Sequence, residues 1–151
     1  MRSKPQLEGQ GALVTGGSRG IGAAIAETLA RNGADVAFTF VSNGQGAQAS
    51  ENRIRGHGRR SLAIQADSAD PDAVVAAVER VVTEFGRIDI LVNNAGIALA
   101  NPFEAATREE FDQTFAVHVR APFFAAQAAA RHMREGGRII SIGSNLGERV
   151  A

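Results

Sequence analysis

The sequence contains no cysteine, which excludes disulfides, thiol catalysis and cysteine-rich metal sites and leaves the compartment undecided. It has no formal net charge, because 16 basic side chains offset 16 acidic ones. No long-range field therefore draws it to nucleic acid or to an anionic membrane, and any anion selectivity must be local. No segment reaches the ~20 apolar residues that span a bilayer, and the first ten residues hold no apolar core of signal-peptide length. A cytoplasmic location is the expectation. Tyrosine is absent as well. The one basic cluster, from Arg53 to Arg60, lacks interleaved aromatics and reads as a solvated helix end and loop. His57 and His132 read as isolated and exposed. With no repeat, linker or low-complexity tract, residues 1–151 are expected to form one domain that buries about 68–70% of its unfolded surface.

Glycine, by contrast, is plentiful, and its placement is informative. Residues 11 to 22 read Gly-Ala-Leu-Val-Thr-Gly-Gly-Ser-Arg-Gly-Ile-Gly, a short apolar strand that enters a glycine-rich turn and then a helix-forming stretch. A Cβ would block a tight turn at Gly16, the approach of backbone to a pyrophosphate at Gly20, and helix-on-strand packing at Gly22. Backbone N–H groups at the start of the next helix, with its positive dipole end, would face the anion. Ser18, Arg19 and Ile21 lie in the same turn and helix start.

Short β-type runs alternate with longer helical stretches, the pattern of a parallel sheet covered by helices. Strands are predicted near Ala12 to Val14, Val36 to Val41, Leu62 to Ala66, Ile88 to Val92 and Arg138 to Ile142. The first helix carries Ile21, Ile25 and Leu29 at i, i+4 spacing and stops at Gly33. The second, from about Asn43 to Arg55, is polar and holds Gly44 and Gly46. The third starts at Asp70-Pro71 and would turn Val74, Val78, Val81 or Val82, and Phe85 inward before Gly86. The fourth opens with a capping box, Thr107-x-x-Glu110, and runs through Phe111, Phe115 and Val119 to Glu135-Gly136-Gly137, kinked by Pro122. Right-handed crossovers then give a Rossmann-type doubly wound α/β sheet in the order 3-2-1-4-5, with ligand over the carboxyl ends of strands 1 and 4.

Two further segments, Asp89-Ile90-Leu91-Val92-Asn93-Asn94-Ala95-Gly96 and Gly137-Arg138-Ile139-Ile140-Ser141-Ile142-Gly143-Ser144, join Thr15-Gly16-x-x-x-Gly20-x-Gly22. Together they resemble the short-chain dehydrogenase/reductase family, most closely the 3-oxoacyl-acyl-carrier-protein reductases, over essentially the whole chain. The resemblance implies an NADPH-dependent carbonyl reductase acting on a ketone or 3-oxoacyl thioester. It places Ser144 on the substrate carbonyl oxygen, Asp67 and the Ser68 N–H at the adenine, and Asn94, Ala95 and Gly96 along the riboses. It also implies a homo-oligomer formed through the helix at 107–135. No metal, nucleic acid or membrane enters this reading.

Cofactor choice depends on the end of the second strand, where NAD-selective enzymes place a carboxylate for the ribose 2′-OH. Here the residues are Phe40-Val41-Ser42-Asn43, and Asp35 stands at the opposite end of the strand. The missing acid, Arg19, and neutral donors at Ser42 and Asn43 favour NADP(H) over NAD(H).

His118 stands where the family carries asparagine, whose backbone supports a relay water. The histidine could keep that carbonyl available, relay a proton itself, or be only a hydrogen-bonded helix residue. The family's general acid belongs to a Tyr-x-x-x-Lys segment that is not in this sequence, as is the remainder of the family fold beyond Ala151. The alternatives are therefore a dinucleotide-binding module without catalysis and an interaction protein that uses the fourth helix.

Overall fold

Each apolar run becomes one strand, and the first three longer stretches become one helix each. The computed structural model describes residues 5–99 and 101–144. The strands are β1 (Gly11–Val14), β2 (Asp35–Phe40), β3 (Ser61–Gln65), β4 (Ile90–Asn93) and β5 (Arg138–Ser141). They are joined by helices α1 (Gly20–Arg31), α2 (Gly44–Gly56), α3 (Pro71–Phe85), α4 (Arg108–Phe115) and α5 (Ala121–His132). All four strand pairings are parallel and the order is β3-β2-β1-β4-β5, as the crossover rule predicts. Val14 of β1 is level with Phe38 of β2 and Val92 of β4. The segments leaving these three strands therefore emerge side by side at one end of the sheet.

Period-two alternation splits the strands between two apolar layers. Leu13, Ala37, Ile64 and Leu91 meet α3 and α5 through Val74, Val78, Val81, Ala125 and Ala129. On the other face Val14, Val36, Phe38 and Val92 meet α1 and α2 through Ala26, Ala30, Ala47 and Ile54. Burying each large side chain contributes about 1.5–3 kcal/mol before entropy is counted.

The inward face of α1 is only partly the expected one: Ile25 and Leu29 pack half-buried against the core, but the fully buried stripe consists of small residues. Gly22, Ala23, Ala26 and Ala30 are buried, whereas Ile21 is 65% exposed. Small side chains let the helix lie close on the sheet, and a periodicity search weighted toward large apolar residues picks the neighbouring stripe. The end of α1 is as predicted: Gly33 (φ +104°) donates to the Ala30 carbonyl and Ala34 to that of Leu29, which closes a Schellman motif. The Asp70 side chain caps α3 by accepting from Asp72 and Ala73, Pro71 opens the helix, and Gly86 (φ +78°) ends it.

The fourth predicted helix is two helices. The capping box at Thr107 and Glu110 is formed, but a π turn at Ala116–Arg120 separates α4 from α5, and α5 ends at His132, short of Gly136-Gly137. Pro122 supplies the reason. It has no N–H and its ring excludes a normal bond to the carbonyl of His118 four residues back, so the backbone widens, and Ala121 donates to Ala116 instead. Phe111, Phe115 and Val119, expected on the apolar face of one helix, are exposed, and the rings of Phe111 and Phe115 stack at 4.4 Å. Edge strand β5 also leaves Ile139 and Ile140 about half exposed.

The basic run is a largely exposed helix end and loop, as expected, but its cations are partnered. Arg60 donates to Asp35 through its backbone N–H (2.9 Å) and Nε (2.8 Å), reaches the carbonyls of Glu84 and Phe85, and lies over the Phe85 ring. Arg59 adds a second cation to Asp35 at 3.1 Å, and Arg53 and His57 both face Glu27. His132 is likewise partnered, with Glu79 at 3.0 Å. The partners lie 30 and 53 positions away in the chain, beyond the reach of local pattern.

Candidate dinucleotide site

The turn after β1 is stitched to the segment after β4. The Thr15 hydroxyl accepts from the N–H groups of Asn94 and Ala95, both at 3.0 Å, and the Asn94 amide donates back to the carbonyls of Thr15 (2.9 Å) and Gly16 (3.3 Å). Thr39 of β2 holds the same turn from the other side, accepting from Gly16 N–H on its hydroxyl and from Gly17 N–H on its carbonyl.

The three glycines of the motif do different work. Gly16 takes a positive φ of +70°, and a Cβ there would lie 3.1 Å from the Ala95 backbone. A Cβ on Gly22 would stand 2.1 Å from the Gly16 carbonyl oxygen, so this glycine lets α1 begin directly under the turn, a closer constraint than the helix-on-strand packing expected. Gly20 (φ +54°) has nothing within 4 Å of its Cβ position. That open space faces the crevice. Among the described residues the N–H groups of Ser18 to Gly22 have no protein acceptor, so the first turn of α1 directs unused donors and its positive dipole end outward.

These donors border a crevice of about 410 Å³ over the carboxyl ends of β1, β2 and β4. Gly16, Ser18, Arg19, Gly20, Ile21 and Gly22 form one wall. Ser42 closes the β2 side, Asp67 and Ser68 the β3 side, and Asn94, Ala95 and Gly96 the β4 side. The exposure of Ile21, which rules it out of the core, is what puts it on this wall. Arg19 makes no ion pair or hydrogen bond among the described residues. Asn43 is partly committed, since its side-chain oxygen caps α2 by accepting from Gly46 N–H. A Cβ on Gly46 would lie 2.5 Å from the Ser18 carbonyl. Glycine generally weakens a helix, but Gly46 lets α2 start against the phosphate turn.

Asp67 is exposed and forms an Asx turn, accepting from Ala69 N–H at 2.8 Å. The turn role and a place on the crevice wall coexist. No carboxylate borders the crevice at the end of β2; Asp35 is held by Arg59 and Arg60 at the far end. Burial alone would raise the Asp35 pKa, but the bonds and charges from Arg60 and Arg59 outweigh it and hold the carboxyl below the usual range.

Ser144 follows β5, and the Ile142 N–H donates to the Asn93 carbonyl, which carries this segment past the carboxyl end of β4. His118 is in the π turn and exposed. Its Nε2 lies 2.9 Å from the Ile97 carbonyl and 3.2 Å from the Ile97 N–H, one donated to or the other accepted from according to tautomer. Its ring also approaches Gly96, where a Cβ would stand 3.0 Å from Cε1. The histidine is thus tied to the rim of the crevice without lining it. Among the described residues no group of three or more His, Cys, Asp and Glu could hold a metal ion, and no helix is long and apolar enough to cross a membrane.

Thr39 is the residue that sequence reasoning misses. The glycine motif indicates a turn, but the bond that holds it spans 23 positions. A threonine just before the end of strand 2 carries no local signal of that contact.

A doubly wound parallel sheet with a glycine-rich strand-turn-helix at its switch point defines the class of dinucleotide-binding α/β proteins. Within that class the chain belongs to the short-chain dehydrogenase family, whose model matches residues 10–151. It is 44% identical to versicolorin reductase of Emericella nidulans over 93% of this chain and 53% of that protein. It is 43% identical to hydroxynaphthalene reductase of Aspergillus fumigatus over the same shares of the two chains. Among solved structures, a short-chain dehydrogenase from Burkholderia cenocepacia in complex with NADP superposes with a TM-score of 0.94 at 57% identity, covering 97% of this chain and 60% of that one. A blue fluorescent protein from a metagenomic library, in complex with NADPH, gives 0.91 at 54%, covering 95% and 59%. The chain spans little more than half the length of these relatives.

Proposed function

We propose that the crevice binds NADP(H) and serves NADPH-dependent reduction of a carbonyl, with ketones and 3-oxoacyl thioesters as the substrate class. The observation that carries this reading is the wall of N–H groups from Ser18 to Gly22 and the adjacent Arg19 side chain, none of which has a protein partner among the described residues, with no acid at the end of β2. The open space at Gly20 fits a pyrophosphate, and Arg19 with Ser42 and Asn43 fits a ribose 2′-phosphate. Asp67 and Ser68 would hold the adenine, and Asn94 to Gly96 the riboses. The NADP and NADPH complexes of two structural relatives support the choice of cofactor.

Residues of this crevice would hold NADPH, which when bound would supply the hydride for carbonyl reduction, the proton coming from a general acid or from water. Ser144 would donate its hydroxyl to the carbonyl oxygen as negative charge develops there. The Pro122-induced π turn leaves the His118 carbonyl without its helical donor, as a relay water would require. The exposed face of Phe111, Phe115, Val119 and Phe123 would seat a second copy of the chain.

A second reading, in which these 151 residues bind dinucleotide without turning it over, rests on the same crevice. Parallel calorimetric titrations with NADPH and NADH test the cofactor site that both readings share. NADPH should bind at least about tenfold more tightly, or ~1.4 kcal/mol. Tighter NADH binding would reverse the assignment, and no binding of either would remove it.

A further inference from the structure

Thr39 is 2% exposed near the end of β2, and two of its oxygens face the glycine turn. The hydroxyl accepts from Gly16 N–H at 3.0 Å and the carbonyl from Gly17 N–H at 2.9 Å. Any residue at position 39 could offer the carbonyl; the other bond needs a side-chain acceptor, here the Thr39 hydroxyl, which an apolar residue lacks. Gly16 has left-handed backbone (φ +70°) and lies outside the sheet ladder, so its N–H has no regular partner to fall back on.

The consequence reaches the crevice through contact. Gly22, in the first turn of α1, lies so close to the Gly16 carbonyl that even a Cβ would overlap it. A Gly16 peptide that turned to find another acceptor would displace that carbonyl, and with it the Ser18 to Gly22 donors. Thr39 also removes Gly16 and Gly17 N–H from the set open to a ligand, which defines where the anion cradle starts.

We propose that Thr39 is a positioning residue whose hydroxyl holds the phosphate turn in its binding conformation and so sets dinucleotide affinity. This rests on the reading of the crevice as an NADP(H) site. The test compares the unaltered chain with Thr39→Val, which keeps the branched shape and removes the hydroxyl, and Thr39→Ser, which keeps the hydroxyl. NADPH affinity is measured by titration and the Gly16 amide by hydrogen exchange. The valine variant should bind NADPH about tenfold more weakly and exchange Gly16 faster, while the serine variant stays within about twofold of the unaltered chain on both.

Unchanged NADPH affinity in the valine variant would overturn the proposal. So would failure of that variant to fold, which would assign the hydroxyl to the fold as a whole. If the unaltered chain binds no NADPH, the dinucleotide reading fails; the exchange comparison still decides whether the hydroxyl holds Gly16.

Discussion

The two ends of the sheet treat polar groups in opposite ways. At the amino end, Asp35 is gripped by Arg59 and Arg60, and Asp89 accepts from Gly11 N–H and from two nitrogens of Arg87. At the carboxyl end, Arg19 and the first N–H groups of α1 remain without partners among the described residues. Both ends have comparable material, with charges and backbone donors near strand termini. Where the chain satisfies them itself it gains stability; where it leaves them open it keeps affinity for a ligand in reserve.

The largest effect expected of the carboxyl end concerns chemistry. The 151-residue chain should show no measurable NADPH-dependent ketone reduction, and a version extended through a Tyr-x-x-x-Lys segment should show it, since a positioned general acid contributes ~10²–10⁴-fold. NADPH absorbance with a 3-oxoacyl thioester or a diketone provides the assay. Robust turnover by the mass-verified 151-residue chain, lost in His118→Ala, would make His118 the acid.

Next comes the open space at Gly20. Gly20→Val should cut NADPH affinity more than about a hundredfold while the domain stays folded, because the side chain would fill room left for the pyrophosphate and its φ strain costs only about 1–2 kcal/mol. Titration alongside circular dichroism checks both halves. Full affinity in the folded variant would make the turn merely structural.

At the amino end the same logic predicts a stability effect without a binding effect. Burial pushes the Asp89 pKa up, but Arg87 and the Gly11 N–H outweigh it and hold it below the usual carboxylate range. The folded state therefore favours the anion. Its contribution is full above the ordinary value of about 3.9 and is lost as pH falls through the lowered folded value. Asp89→Ala should cost about 2 kcal/mol at neutral pH, leaving the Gly11 N–H unsatisfied, and should flatten the acid limb of a denaturation series. NADPH affinity should not change.

The smallest effect belongs to one exposed cation. Arg19→Ala should weaken NADPH binding about tenfold, ~1.4 kcal/mol, and leave NADH nearly untouched. An equal loss for both cofactors would place Arg19 on the shared pyrophosphate instead of the 2′-phosphate.

How far the sequence discloses these two ends differs for a physical reason. The strand order and the carboxyl-end walls follow from signals local in sequence: glycine spacing, apolar alternation, and the Asn-Asn-Ala-Gly that follows β4. The bonds of Asp35 to Arg60, of Asp89 to Gly11 and of Thr39 to Gly16 join residues 23 to 78 positions apart, so no local window contains both partners. Helix α1 misleads because alanine, the residue that packs it, is the weakest hydrophobic signal. The π turn escapes because one extra backbone residue leaves the periodicity of α4 and α5 separately intact; Pro122 announces a disturbance without saying which kind.

Backbone amide resonances followed during NADPH addition test the contrast between the two ends most directly. Shifts should concentrate at residues 16–22, 42–43, 67–68 and 94–97, with 35, 59–60 and 87–89 unmoved. Shifts centred on the amino-end staples, or none at the turn after β1 at saturating NADPH, would contradict the account.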